Sequence, residues 1–314
     1  PSQVAGNPWA LAPWALARYG TQRRGVLVGD QSGHGLLALL ARRQRRRPQV
    51  RIVLIVHHLR ESFRFNHPLY VRAAAAHETS ILRLAHRVVV HTEATRDGVQ
   101  ARGVPGDRIA VIRQGWRGDY PRVAVRRLDH GEPLRLLWVG ADYRRKGLDL
   151  LLEALALASP RPHLTVVGSP EGSAESQEAV AHARRLGLGA SVRFLGSVAE
   201  ERLAALWLEH DLFVLPSHHE GHGRAVDEAL HRGLPVLVSK LPVFRERLGN
   251  TDVCWVDRNA PAIAGALETL RDGSVRSGLA ARGLERAFGF PTWRETLAAH
   301  AALFREELAG TETS

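Results

Sequence analysis

Short apolar, β-branched runs alternate with segments of helical periodicity along most of this chain, which predicts α/β units with parallel sheets. In the first half the strand-like runs are Gly25–Gly29, Val50–Val56, Arg87–His91 and Arg108–Arg113. Helical segments fall between them at Gly35–Gln44, Leu69–Leu84 and Ala94–Arg102. Gly103–Asp107 (GVPGD) reads as a turn, bent by Pro105 and its two glycines. Periodicity then fades over Gln114–Pro133, which is rich in Gly, Arg, Asp and Pro and reads as a linker. A second series of strands follows at Leu134–Val139, His163–Val167, Val192–Leu195, Leu212–Leu215, Pro235–Val238 and Asp252–Val256. Its helices are expected near Leu148–Leu157, Ser176–Leu186, Glu200–Glu209, Gly223–Arg232 and Pro261–Asp272, with two more near Val275–Phe288 and Thr292–Glu307.

The second series is a complete doubly wound domain. The first is short by comparison, because such a half normally opens on a strand and a Gly-rich turn. Only the Trp- and Ala-rich Asn7–Arg18 precedes Gly25. The expected organisation is a Rossmann-like domain over 1–120 without its first βαβ unit, a linker over 121–133, a second domain over 134–290 and a terminal segment over 291–314. The chain begins at Pro1 and contains no methionine, which points to a piece of a longer protein. A length of 314 residues suits two domains, and 45% hydrophobic content fills two cores. No repeat at solenoid periods is visible.

Composition narrows the partners. No run reaches the roughly 18–20 apolar residues that span a bilayer. Pro8, Trp9, Pro13 and Trp14 break up any signal-peptide core, and the single Cys254 in VCWV has no disulfide partner. Both favour a cytoplasmic location. The net charge of +11 favours anionic partners, and nearly all of the positive charge is arginine, with lysine only at Lys146 and Lys240. The dense run Arg42, Arg43, Arg45, Arg46 and Arg47 is either a solvated helix end or a patch for an acceptor or for the inner face of an anionic membrane. No aromatics interleave with it, so nucleic acid is not an expected partner.

Open parallel sheets bind ligands beyond the carboxyl ends of their strands. After the first strand of the second domain comes Gly140-Ala-Asp-Tyr-Arg-Arg-Lys-Gly147. A compact ammonium at Lys146, beside a flexible glycine, suits a diphosphate as a point charge, and Arg145 can add bidentate bonds. After the fourth strand comes Pro216-Ser-His-His-Glu-Gly-His-Gly223. Gly221 and Gly223 allow close backbone approach, and the following helix offers N–H groups to an anion. Glu220 can accept from sugar hydroxyls, and Glu228 on the helix can accept both hydroxyls of a ribose diol. His218, His219 and His222 surround Glu220 but do not form H-E-x-x-H on a helix, so no metal site is expected. No G-x-S-x-G elbow occurs. In the first domain, the strand ending at Val56 carries His57 and His58 to its carboxyl edge, which is expected to face the ligand cleft.

These residues resemble the GT-B-fold retaining glycosyltransferases of the large family 4, over Val26 to about Phe304. The most specific part is E-x7-E, Glu220 to Glu228, continued by EALHRGLPVLVS. The resemblance implies two doubly wound domains facing a cleft. It assigns Glu220 to the donor sugar, Glu228 to the nucleotide ribose and Arg145-Lys146-Gly147 to the donor diphosphate. It places His57 near the transferred sugar, lets the backbone of Arg193–Ser197 line the base pocket, and returns Thr292–Glu307 to the first domain. The family often has Gly-Arg after the first strand; Gly140-Ala141 here leaves that role to Arg144 or Arg145. His222 replaces an aromatic and Arg224 an aliphatic residue, which points to a more polar or charged sugar. The implied reaction moves a sugar from a UDP or GDP donor to a glycan, lipid or small-molecule acceptor, with no metal or other cofactor. The other reading is an impaired or non-enzymatic nucleotide-sugar-binding protein.

Overall fold

A computed structural model describes residues 24–30, 49–59, 68–116, 120–124 and 132–311. Asn7–Arg18, Gly35–Gln44 and the Arg42–Arg47 run lie outside the described residues. Contacts divide the chain into two units, one of residues 1–115 with 291–314 and the other of residues 116–290.

In the first unit, β1 (Gly25–Asp30), β2 (Val50–Val56), β3 (Arg87–Val90) and β4 (Ile109–Val111) form a parallel sheet in the order β1-β2-β3-β4. Among the described residues, two helices of this unit lie between strands: α1 (Pro68–Leu84) and α2 (Glu93–Gln100). Thr92 caps α2 by accepting from the Thr95 N–H, which ends the strand and starts the helix within three residues. Ile52, Leu54, Val56, Val88 and Val90 face one core with Ile81 and Leu82 of α1. That alternation is the period of two expected for strands, and each buried aliphatic side chain contributes about 1.5–3 kcal/mol.

The second unit is a parallel six-stranded sheet of β5 (Arg135–Gly140), β6 (His163–Gly168), β7 (Val192–Phe194), β8 (Leu212–Leu215), β9 (Val236–Ser239) and β10 (Cys254–Val256). Its order is β10-β9-β8-β5-β6-β7. Counted from β5 as the first strand, this is the doubly wound order 3-2-1-4-5-6, and the winding reverses between β5 and β8. The connecting helices are α3 (Leu148–Leu157), α4 (Ala174–Arg185), α5 (Glu200–Glu209), α6 (Arg224–His231), the short α7 (Pro242–Arg245), α8 (Ala260–Thr269) and α9 (Gly273–Phe288). Strands β8 and β9 are buried at every residue, which is why they read as unbroken apolar runs rather than alternating ones.

The chain then returns to the first unit as α10 (Trp293–Ala309). A capping box starts this helix, with Thr292 and Glu295 each bonding the other's backbone N–H. Leu303 and Phe304 pack on the sheet face carrying Val53, Val89 and Ile112. Arg87 of β3 donates to Glu307 at 2.8 Å and to Glu306 at 2.7 Å.

Trp116, Tyr120 and Val123 pack on the second unit, although the sequence reading divided this stretch between the first domain and the linker. Trp116 lies 4.1 Å from the His231 ring, and Arg232 lies 3.9 Å above the Tyr120 ring. The Val123 N–H donates to the Arg232 carbonyl at 2.7 Å. Polar and Gly-rich composition hid these contacts, because two aromatic side chains anchor a segment that has no periodicity of its own.

Candidate functional site

The loops after β5 and β8 meet where the winding reverses. A Cβ at Gly147 would collide with the Pro216 carbonyl, so the two loops touch where only glycine fits. Gly147 also has φ 72°, in the left-handed region, as does Gly223 with φ 84°. These glycines cap α3 and α6, and no side-chain oxygen takes the first N–H groups of either helix. By contrast α4, α8 and α9 are capped by Ser173, Asn259 and Asp272. Helix N-termini favour negative charge, and two of them start from the loops at this switch point.

The loop after β5 is set by Asp142, which adopts φ 61°. Aspartate tolerates that region because its short carboxylate bonds locally. Here it accepts from the Arg145 N–H at 3.2 Å and from Arg145 Nε at 2.7 Å. Arg145 then donates to the His219 carbonyl at 3.0 Å and approaches Glu220 at 3.4 Å. Arg144 turns the other way and pairs with Glu178 at the surface. Of the two candidates for the missing Gly-Arg arginine, Arg145 enters the cluster and Arg144 does not.

Lys146 donates from Nζ to Glu220 Oε1 at 2.9 Å. Ser217 Oγ donates to the same oxygen at 3.2 Å, and Ser239 Oγ at the end of β9 donates to the Ser217 carbonyl at 2.6 Å. Glu220 is only 6% exposed. Burial alone would push its carboxyl up, but Lys146 and Arg145 outweigh burial and hold it below the usual glutamate range. A carboxylate so fixed is ionised at neutral pH and accepts from hydroxyls. An ammonium has three N–H groups, so the bond to Glu220 leaves Lys146 donors for phosphate oxygens.

Glu228 lies in the second turn of α6, half-buried. Burial pushes its carboxyl up, and Arg232 and Arg224 only partly offset this. The E-x7-E pair thus has two electrostatic characters, one acid held down by cations and the other pushed up by its surroundings.

His222 departs from expectation. Its ring turns inward: it is buried and bonds Asp227 Oδ2 through Nε2 at 2.7 Å. Arg247 donates to Asp227 Oδ1 at 2.5 Å and to the His222 carbonyl at 2.6 Å. Burial opposes ionisation of Asp227, but Arg247 and His222 lower its carboxyl to about 2. Burial and then Arg247 push the His222 imidazole down, so it is neutral. The polar substitution at 222 is answered inside the protein, by an ion pair that braces the Gly-His-Gly backbone. Gly223 sits against the Phe244 ring, where a Cβ would clash.

Gly221 is buried between Glu220 and His222, while Arg224 is exposed at the first turn of α6. Ser197 is exposed, and its hydroxyl donates to the Gly168 carbonyl at 2.8 Å, tying the loop after β7 to the end of β6. The Arg193 side chain is exposed on edge strand β7 and is not brought to Lys146 or Glu220. His57 follows β2 in the first unit, where Nδ1 lies 3.1 Å from His91 Nε2. Asp142, Ser217, Asp227, Arg247 and His91 were not singled out from sequence. His91 ends a strand as His57 does, so strand ends would have found it; Arg247 is 20 residues from Asp227 with no spacing signal. Among the described residues no three His, Cys, Asp or Glu side chains gather as a metal-binding group, and no helix is long and apolar enough to cross a membrane.

Comparison with known proteins bears on the family and the fold. The profile of the group 1 glycosyl transferases matches residues 125–281, and that of Glycosyltransferase Family 4 matches residues 7–116. A D-inositol 3-phosphate glycosyltransferase of Streptomyces scabiei is 33% identical over 238 residues, covering 68% of this chain and 53% of that protein. A glycogen synthase of Mycobacterium tuberculosis is 29% identical over 205 residues, covering 64% and 49%. The chain thus spans about half the length of the curated relatives it matches. Among solved structures, the sucrose-phosphate synthase of Thermosynechococcus elongatus aligns with a TM-score of 0.79 at 22% identity, covering 95% of this chain and 77% of that one. Anabaena HepE, solved with UDP and glucose, aligns with a TM-score of 0.73 at 18% identity, covering 94% and 81%. At these identities the structural likeness speaks for the fold, two Rossmann-like units of the GT-B type. With half of its length matched by their profile and the E-x7-E pair running from the loop after β8 into α6, this chain belongs to the group 1 glycosyl transferases.

Proposed function

We propose that this chain transfers a sugar, with retention of configuration, from a nucleoside-diphosphate sugar to an acceptor hydroxyl. The observation that carries this reading is the cluster of Lys146, Arg145 and Glu220 beside two glycine-capped helix N-termini. It places cations, oriented N–H groups and one fixed carboxylate at the switch point of a nucleotide-binding fold.

In this reading Lys146 and Arg145 stabilise the charge that grows on the departing diphosphate, an electrostatic effect prepared before the reaction begins. They supply positive charge at the leaving group themselves, so the transfer proceeds without a metal ion. Glu220 accepts from hydroxyls of the sugar and orients it. Glu228 accepts from the ribose diol, and its raised carboxyl suits a group that gains two hydroxyl donors on binding. His57 keeps the role that the resemblance gives it, at the transferred sugar. Glu220 and Glu228 serve different parts of the donor, so neither is assigned as a covalent nucleophile, and departure and attack occur on one face of the sugar. UDP and GDP are the candidate nucleotides, with UDP favoured by its presence in HepE. The acceptor is a glycan, a lipid headgroup or a small molecule.

Calorimetry with UDP and with GDP, followed by turnover of UDP-glucose and GDP-mannose with and without EDTA, tests the reading. Nucleotide binding with EDTA-resistant turnover is expected. A well-folded sample that binds neither nucleotide refutes it, and binding without turnover under any acceptor mixture favours a nucleotide-sugar-binding protein instead.

A further inference from the structure

We propose that His91 is a positioning residue that fixes which ring nitrogen of His57 carries the proton. The two histidines end adjacent parallel strands, β2 and β3, at the same edge of the first sheet. Their ring centroids are 5.1 Å apart and the ring planes meet at 29°. His91 is 4% exposed, and its Nδ1 lies 2.9 Å from the Ile112 carbonyl oxygen. That carbonyl belongs to a residue whose own N–H donates to Val90 at 2.8 Å, so the acceptor is held by the backbone.

The proton assignment follows from what each atom is able to do. A carbonyl oxygen only accepts, so His91 Nδ1 carries a hydrogen. A neutral imidazole has a single N–H, so in a neutral His91 ring Nε2 is an acceptor. The atom facing it at 3.1 Å is His57 Nδ1, which therefore carries a hydrogen and donates. In the neutral His57 ring Nε2 is then the nitrogen that carries no hydrogen. The relay runs from the His57 N–H to His91 and from the His91 N–H to the Ile112 carbonyl.

The consequence is chemical selectivity. An acceptor nitrogen suits a sugar or acceptor hydroxyl, which donates, and is mismatched to a phosphate oxygen, which only accepts. The relay thus directs His57 to the carbohydrate part of the substrate. This functional meaning rests on the proposed role of His57, whereas the tautomer is a property of the protein by itself.

Long-range proton–nitrogen correlation spectra of the full chain labelled with 15N-histidine test the tautomer directly. His57 is expected to show a protonated Nδ1 and a pyridine-type Nε2. His91→Phe keeps a ring but removes the acceptor and should return His57 to averaged shifts. His91→Gln, whose carbonyl oxygen reaches the same place, should keep the Nδ1–H form. In turnover of UDP-glucose or GDP-mannose, His91→Phe should lower kcat about tenfold with KM within about twofold, and His91→Gln should keep most of the rate. A hydrogen on His57 Nε2 in the parent chain, or an unchanged His57 spectrum in a folded His91→Phe variant, overturns the relay. If His91→Phe does not fold, the parent spectrum decides. A parent with the expected tautomer that turns over neither sugar leaves the relay standing and removes the reading of the function.

Discussion

Lys146 and Glu220 are 74 residues apart in the chain and 2.9 Å apart in space. Each belongs to a loop on one side of the point where the sheet's winding reverses. Their pairing accounts for both residue types. Lysine alone would be an anion site, and a carboxylate alone would be expelled from so buried a place.

Lys146→Ala and Glu220→Ala should each abolish sugar turnover; near-normal rates in both would remove the proposed site. The pair should also couple in stability. In a cycle of Lys146→Met, Glu220→Gln and the double variant, the interaction energy from urea unfolding is expected at about 1–3 kcal/mol. The single Lys146→Met variant should lose the most, because it leaves the buried Glu220 with Arg145 and the Ser217 hydroxyl but without its closest cation.

Arg145→Lys tests geometry rather than charge. The guanidinium reaches Asp142, the His219 carbonyl and Glu220 together, which a single ammonium does not span. Donor kcat/KM should fall about 10- to 100-fold with little change in Tm. Arg144→Lys, at a surface pair with Glu178, should change kcat/KM less than about twofold.

Glu228→Gln separates binding from stability. The folded carboxyl lies above its usual 4.5, so folding penalises the charged form. That penalty is absent at low pH and fully present once pH exceeds the raised value. Removing the charge should raise the Tm of the unliganded chain at pH 7 by about 1–3 °C. Calorimetry should show UDP or GDP binding weakened about tenfold in the same variant, through loss of the acceptor for the ribose diol. A variant that gains neither stability nor a binding defect contradicts the assignment.

Acid should act on the brace behind the loop. Asp227 is held at about 2 against an ordinary 3.8. Its contribution, about 2 kcal/mol, is present above pH 3.8 and lost as pH falls toward 2. His222 acts at higher pH in the same direction: its charged form is disfavoured in the fold, so stability starts to fall below its ordinary 6.5. Asp227→Asn should cost about 3–5 kcal/mol at pH 7, because Arg247 stays buried without its partner. The variant's unfolding free energy should then be flatter between pH 4 and pH 2 than that of the parent.

The strand and helix pattern was legible because parallel strands buried on both faces appear as unbroken apolar runs, as LFVL and VLVS do in β8 and β9. Strand ends then led to Lys146, Glu220 and His57, since a doubly wound sheet gathers chemistry at its carboxyl edge. The brace was illegible for a physical reason. A buried ion pair such as Asp227–Arg247 depends on a tertiary contact that no local period announces, and Asp227 on α6 looks like any acid near a helix N-terminus. His222 was misread for the same cause, since a departure from an aromatic says nothing of which way the new ring turns. Arg193 was included with its segment, although its side chain lies on an edge strand away from the cluster.

The return of α10 to the first sheet has a consequence for synthesis. A ribosome delivers residues 116–290 in full before it makes the helix whose Leu303 and Phe304 cover Val53, Val89 and Ile112. The later part of the chain can therefore finish folding while the earlier part still exposes an apolar sheet face. A nascent chain stalled near residue 290 would carry that face uncovered, and it is there that a chaperone would find its binding surface.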